Sequence, residues 1–232
     1  MLSKDLKCVI ICGGKGTRLY PITATIPKSL VPIKGKPILN YIVEYCKQFT
    51  NDFMFIFERV NVGLEEFIKT LPVNFEYVIE DNPKGIATAL FFAEDFVKDQ
   101  FIVSLGDCIY NGKFDFPEKF DHGFGVVETT NLDYIKRSYS VEIVNGRVQR
   151  VVEKPRIPFN NLCGMGFYVF HNSIYEFIKK TSQSPLTGKV ELTDVIQTMI
   201  SSGQDVKPIF FNGKYINITY PEDLKIAEEI VD

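Results

Sequence analysis

The chain has 232 residues, enough for one large α/β domain, and 45% of them are hydrophobic, the share of a chain that buries a full core. A net charge of −3 with no basic run excludes non-specific nucleic-acid binding from the expected functions. The apolar run at residues 8–12 is too short for a signal peptide or a membrane span, so a soluble, cytoplasmic protein with no nucleic-acid or membrane partner is expected.

Residues 7–12 (KCVIIC) form a short, nearly continuous apolar run, the pattern of a buried parallel strand. The spacing of Ile38, Leu39, Ile42, Tyr45, Cys46 and Phe49 predicts a helix over 37–49, with Pro37 suited to its first turn. Strands are expected over 53–57, 75–79 and 101–105, with helices over 62–71 and 85–97 between them. This β-α-β-α-β-α-β half predicts a doubly wound, mainly parallel sheet, in which ligands bind beyond the carboxyl ends of the strands. The texture then changes. Strands are expected over 125–130, 140–144, 147–153 and 166–170, and Asn145-Gly146 signals a hairpin. Helices near 173–180 and 193–201, strands near 206–211 and 215–218, and a helix over 221–231 with Glu222 and Asp223 in its first turn complete the chain. The five cysteines (Cys8, Cys12, Cys46, Cys108 and Cys163) contain no C-x-x-C pair and read as core residues. With only His122 and His171 present, a His-rich zinc site is not expected.

The loop after the first strand reads Gly13-Gly14-Lys15-Gly16-Thr17-Arg18-Leu19. Its glycines let the main chain approach an anion closely, and Arg18 can grip phosphate oxygens in two places. It is neither a G-x-x-x-x-G-K-[ST] loop nor a G-x-G-x-x-G loop, which disfavours P-loop and dinucleotide enzymes. Pro27-Lys28-Ser29-Leu30-Val31-Pro32 and Lys36-Pro37 follow, giving G-G-x-G-T-R-L-x-P-x-T-x-x-x-P-K-x-L-x-P-x-x-x-K-P over residues 13–37.

That pattern resembles the sugar-1-phosphate nucleotidyltransferases, also called NDP-sugar pyrophosphorylases. The likeness extends to Leu224, and the length matches a catalytic domain of the glucose-1-phosphate thymidylyltransferase kind. The resemblance implies one catalytic domain, with a nucleotide-binding half (about 1–112) of Rossmann-like form. A smaller acceptor-binding or lid β region (about 113–232) follows it. It implies in-line attack of a sugar 1-phosphate on the α-phosphorus of a nucleoside triphosphate, assisted by Mg²⁺. Homo-oligomerisation is left open.

By the same resemblance Gly13, Gly14, Gly16 and Thr17 cradle the nucleotide, and Arg18 binds the triphosphate. Lys28 sits between the α-phosphate and its attacker. Asp107, in Gly106-Asp107 after the fourth strand, holds the metal. The second ligand position, usually Asp, is here Asn217, in Tyr215-Ile216-Asn217-Ile218-Thr219-Tyr220-Pro221-Glu222-Asp223-Leu224. Glu153 and Lys154 match the family's E-K-P and would hold the sugar hydroxyls and the acceptor phosphate. Gly166, with Gly164, packs under the sugar. Glu191-Leu192-Thr193-Asp194 matches E-L-T-D, although Thr193 as an N-cap and Asp194 in a first turn account for two of its residues without function. Ser140 replaces the glycine of Tyr-Gly-Val, pointing to a different or smaller acceptor.

The resemblance also implies that the stretch from Glu80, which includes Gly85, reads the base. A carboxylate only accepts hydrogen bonds, whereas uracil and thymine offer one N–H between carbonyls. Glu80 therefore favours GTP or CTP over UTP or dTTP. Two alternatives stay open: a cytidylyltransferase acting on a non-sugar phosphate, and a non-catalytic nucleotide-sensing member of the family.

Overall fold

The computed structural model describes residue 2 and residues 6–231. Strand β1 (Lys7–Cys12) leads through the glycine-rich loop to a small ribbon, β2 (Pro32–Ile33) and β3 (Lys36–Pro37). Helix α1 (Ile38–Cys46), β4 (Asp52–Glu58), α2 (Leu64–Ile68), β5 (Asn74–Glu80), α3 (Ile86–Ala89) and β6 (Gln100–Leu105) complete the first half. The second half comprises β7 (Cys108–Asp115), β8 (His122–Glu128), α4 (Leu132–Arg137), β9 (Tyr139–Val144), β10 (Arg147–Glu153) and β11 (Leu162–His171). After these come α5 (Ile174–Lys180), α6 (Leu192–Ser201), β12 (Val206–Asn217) and α7 (Pro221–Ile230).

One mixed sheet runs through both halves in the order β5-β4-β1-β6-β11-β8-β12-β7, and the β9–β10 hairpin attaches to β11. The first four of these strands are parallel. β1 has no polar face because both of its faces are covered. Cys8, Ile10 and Cys12 pack with α1, α2 and α7, while Val9 and Ile11 pack with α3 and α6 on the other side. This is the doubly wound, Rossmann-like arrangement expected. All five cysteines are free and buried in the core.

The departures from expectation have local causes. The helix expected over 85–97 is a single α-turn continuing as a 3₁₀ turn, Leu90–Ala93. The two strands expected near 206–211 and 215–218 are one, β12, because the unforeseen strand β7 pairs with it from Phe210 to Asn217. Gly213 reads as a turn but serves a close crossing. A Cβ there would lie 2.3 Å from the Asn111 carbonyl oxygen, and one on Gly112 equally near that of Asn212. Helix α4 also escaped notice. Its cap is the Asn131 side chain, which accepts the Asp133 N–H. The Asn145-Gly146 hairpin forms as read, with both residues at positive φ.

Candidate active site

The carboxyl ends of β1, β4, β5 and β6 open onto one cleft, as the switch-point rule requires. Gly14 (φ +94°) and Gly16 (φ +61°) turn the chain after β1 through conformations that favour glycine. A Cβ on Gly16 would press on Thr23 at 3.1 Å, and Thr23 Oγ1 donates to the Gly16 carbonyl at 2.6 Å. Asn61, itself buried, donates to the Cys12 carbonyl at 2.8 Å, which fixes the loop's base. The loop thus rests on contacts from residues well outside the glycine motif.

Two adjoining cavities meet at this loop. One, of about 260 Å³, is lined by Gly13, Gly14, Glu58, Glu80, Gly85 and Asp107. The other, of about 560 Å³, is lined by Gly16, Thr17, Arg18, Glu153, Gly166 and Asn217 among others. Lys28, Asp107 and Lys154 line both and so stand at the junction. Gly85 (φ +129°) lets α3 approach the 189–190 segment, where a Cβ would sit 2.7 Å from the Val190 carbonyl oxygen.

At the junction Lys28 Nζ meets Asp107 Oδ2 at 2.6 Å. Asp107 is held from below: Gly106 N–H donates to the Ile11 carbonyl, and the Asp107 carbonyl accepts from Ile218 N–H at 2.9 Å. A Cβ on Gly106 would strike Cys12 Sγ at 2.7 Å, so Gly-Asp is a packing requirement before it is a chemical one. Asn217 Nδ2 lies 3.2 Å from Asp107 Oδ1, and its Oδ1 accepts from Thr219 Oγ1 at 3.1 Å. Half a turn of this amide exchanges the two roles, turning Asn217 Oδ1 toward Asp107 while Thr219 Oγ1 accepts from Nδ2. Among the described residues no group of three or more His, Cys, Asp and Glu side chains could hold a metal. The oxygens this corner could offer a cation are those of the Asp107 carboxylate and, after that half turn, the Asn217 amide oxygen. Such a pair would fit a hard divalent cation which keeps most of its water, such as Mg²⁺.

In the larger cavity, Lys154 Nζ pairs with Glu153 Oε1 at 2.9 Å, and Thr193 Oγ1 donates to Glu153 Oε2 at 2.7 Å. Thr193 is therefore not an N-cap. Glu191 occupies that position without a side-chain cap, and the Thr193 hydroxyl serves Glu153 instead. Lys154 adopts φ +42°, and its N–H donates to the Ser138 carbonyl at 2.7 Å, which fixes the strand end in a costly conformation. Gly166 is packed under the cavity: a Cβ would lie 2.6 Å from Cys108 Sγ. Its N–H donates to Tyr215 Oη at 3.0 Å and its carbonyl accepts from Tyr110 Oη at 2.9 Å, so its backbone is already committed. Arg18 is exposed, with its guanidinium 5.9 Å from the Tyr220 ring and no carboxylate partner among the described residues. Lys28 differs, its side chain being only 16% exposed. Glu80 is buried at the end of β5. Burial, reinforced by Glu58, raises its carboxyl above the ordinary carboxylate range.

One reading from sequence needs correction. Ser140 does not narrow the larger cavity. Its buried hydroxyl accepts from Phe159 N–H at 3.0 Å, on the side of the 157–160 loop, while Tyr139 lines the cavity. The Gly14 N–H donates to Glu58 Oε1 at 2.8 Å. Sequence reading also missed Glu58, Lys189 and Arg137. Glu58 ends β4, and only the pairing of β4 with β1 sets it beside the loop. Lys189 lies two residues before Glu191 and lines both cavities. Arg137 lines the larger cavity and grips Asp223 with both terminal nitrogens at 3.0–3.1 Å. Asp223 is 1% exposed and also accepts the N–H groups of Thr219 and Tyr220. It anchors the segment that carries Asn217.

Comparison with known proteins gives consistent matches. The chain is 30% identical over 228 residues to the bifunctional protein GlmU of Methanococcus maripaludis, covering 96% of this chain and 53% of that protein. It is 34% identical to the low-salt glycan biosynthesis nucleotidyltransferase Agl11 of Haloferax volcanii, covering 97% of this chain and 66% of Agl11. It is 30% identical to the UTP–glucose-1-phosphate uridylyltransferase AglF of the same organism, covering 97% of this chain and 96% of AglF. The chain thus spans about half the length of the GlmU proteins and nearly all of AglF. A crystal structure assigned as a glucose-1-phosphate thymidylyltransferase from Bacillus anthracis superposes with a TM-score of 0.82 at 26% identity, over 97% of this chain and 94% of that one. The inositol-1-phosphate CTP transferase of T. maritima shares the fold, with a TM-score of 0.83 at 23% identity, over 99% of this chain and 96% of its own. The nucleotidyl transferase family model matches residues 7–223, and the chain belongs to that family.

Proposed function

We propose that the protein transfers a nucleoside monophosphate from a nucleoside triphosphate to a sugar 1-phosphate, releasing pyrophosphate. The observation that carries this is the Lys28–Asp107–Asn217 cluster at the junction of two cavities, one suited to a nucleotide and the other to a small phosphorylated acceptor. In this reading the half at about 1–112 binds the nucleotide through Gly13, Gly14, Gly16, Thr17, Glu80 and Gly85, and the half at about 113–232 holds the acceptor.

The chemistry needs two anions brought into line, so positioning and charge neutralisation supply most of the rate. Lys154 holds the acceptor phosphate, and Glu153, oriented by Thr193, accepts from sugar hydroxyls. Lys28 swings from Asp107 onto the α-phosphate. An acceptor phosphate oxygen then forms the new bond to the α-phosphorus while the bond to the bridging oxygen of pyrophosphate breaks. Arg18 neutralises the departing pyrophosphate. Asp107 and Asn217 would hold Mg²⁺, which supplies charge screening across the triphosphate. No proton transfer and no nucleophilic side chain are required.

The test is pyrophosphate release and product analysis across ATP, CTP, GTP, UTP and dTTP against a panel of sugar 1-phosphates and amino-alcohol phosphates. Turnover confined to a sugar 1-phosphate is the expected result. Turnover of CTP with only a non-sugar phosphate would make the protein a cytidylyltransferase of another class. Nucleotide binding without turnover on any acceptor would make it a sensor.

A further inference from the structure

We propose that Glu58 reads the ribose of the incoming nucleotide and selects a ribonucleoside triphosphate over its 2′-deoxy counterpart. The inference rests on the reading of the 260 Å³ cavity as the nucleotide subsite.

Glu58 is the last residue of β4, and the register Cys12↔Phe57 sets it beside Gly13 at the mouth of the glycine-rich loop. Its Oε1 accepts the Gly14 N–H at 2.8 Å, and a Cβ on Gly13 would lie 3.6 Å from that oxygen. The carboxylate therefore lies along the loop. It is half-buried and has no ion-pair partner among the described residues. A carboxylate without a counter-cation in a cavity that admits a polyanion is unfavourable unless the ligand brings a donor to it.

The layout identifies that donor. Glu80, proposed for the base, ends β5, and Asp107, proposed with Lys28 for the phosphates, follows β6; all three line the cavity. The strand order β5-β4-β1-β6 sets Glu58, at the end of β4, between Glu80 and Asp107. Covalent connectivity puts the sugar between base and phosphates, beside Glu58. A ribose offers two vicinal hydroxyl donors, and a carboxylate with one oxygen already anchored still has lone pairs to accept them. The position also parallels dinucleotide-binding sheets, where an acidic residue at the end of the strand next to β1 takes the ribose 2′-hydroxyl. A 2′-deoxyribose lacks that donor and leaves the carboxylate unmatched.

Hydrogen bonds to charged groups are worth about 1.5–3 kcal/mol, so discrimination of about 10- to 100-fold is expected. The experiment is calorimetric titration of the full chain with the pairs CTP/dCTP, GTP/dGTP and UTP/dUTP, in wild type, Glu58→Ala and Glu58→Gln. The wild type should bind the ribonucleotide of its preferred base about 10- to 100-fold more tightly. Glu58→Ala should bring the ratio to within about 3-fold of unity by weakening the ribonucleotide alone. Glu58→Gln keeps an acceptor for Gly14 N–H and should retain an intermediate ratio, which also covers the case in which the alanine variant does not fold. Equal affinity within each pair for the wild type overturns the proposal while leaving the nucleotide subsite intact. So does an equal loss on both members in Glu58→Ala, which would make Glu58 a clamp on the loop. Discrimination against a 3′-deoxynucleotide but not a 2′-deoxynucleotide overturns it as well. A wild type that binds no nucleoside triphosphate removes the underlying reading together with this one.

Discussion

At the scale of single residues, Asp107 and Lys28 form one unit: each is the other's counter-ion at 2.6 Å, and both line both cavities. Asp107→Ala and Lys28→Ala should each lower kcat/KM by about 10²- to 10³-fold, the scale of losing one preorganised charge at a transition state. Because the pair is partly solvent-screened, each variant should lose only about 1 kcal/mol of stability. Steady-state kinetics beside thermal melts separate the two effects, and activity falling in step with folded fraction would return both residues to a structural role. Arg18, Lys28 and Asp107 were legible because the glycine loop, P-K and G-D are local strings. Glu58 and Lys189 were not, since they reach the cavity only through sheet order and a distant turn. Glu80 was legible as a residue of the smaller cavity, but its ionisation was not. Burial and Glu58 raise its carboxyl, so its protonated form persists to higher pH than that of an exposed glutamate. That form donates and accepts, as uracil requires, whereas the carboxylate only accepts. GTP or CTP is therefore expected to be preferred where Glu80 is ionised, with the UTP share of turnover rising as pH is lowered. Glu80→Gln should favour UTP at every pH. An NTP ratio constant across pH in the wild type would show that Glu80 does not touch the base.

At the scale of elements, most strands were legible because their apolar runs are short, dense and bounded by turn residues, as in β1, β4 and β6. What was hidden depended on pairing. β7 lies immediately after the Gly106-Asp107 corner and takes its identity from β12, through two facing glycines that look like turn residues in isolation. That pairing has a functional consequence. It aligns Asn217 with Cys108, bringing the amide to 3.2 Å from Asp107. The end of β12 is then pinned by Asp223, which accepts from Thr219 and Tyr220 and is gripped by Arg137. Asn217 is thus a rigid partner to Asp107. Asn217→Asp should tighten Mg²⁺ about 10-fold, because a second carboxylate replaces a neutral oxygen at nearly the same volume. The same change sets two like charges side by side, so the metal-free protein should lose about 1 kcal/mol and recover it on adding Mg²⁺. Melts with and without Mg²⁺, in both proteins, measure this. A variant whose melting temperature is no more sensitive to Mg²⁺ than wild type would place the metal elsewhere.

At the scale of the whole molecule, stability is set by a sheet covered on both faces, and a buried histidine adds a pH dependence to that stability. His122 begins β8 and is 2% exposed. Its Nδ1 accepts the His171 backbone N–H at 3.4 Å, so Nε2 carries the proton and donates to Ser173 Oγ at 3.1 Å. Burial holds its pKa at about 4 against the ordinary 6.5; Asp121 opposes this shift and His171 adds to it. A folded-state pKa below the unfolded one means that the unfolded chain takes up a proton which the folded chain refuses. The contribution of neutral His122 is therefore fully present above pH 6.5 and is lost as pH falls toward about 4. Between pH 7 and pH 5 the loss should be about 2 kcal/mol. Carboxylates titrate in the lower part of this range too, so the wild type alone does not isolate the effect. His122→Gln does: its amide can accept from the His171 N–H and donate to Ser173 Oγ without titrating. Urea unfolding at pH 7 and pH 5 should show the variant losing about 2 kcal/mol less than wild type over that interval. Parallel losses in the two proteins would mean that His122 takes up its proton as readily in the folded state as in the unfolded chain.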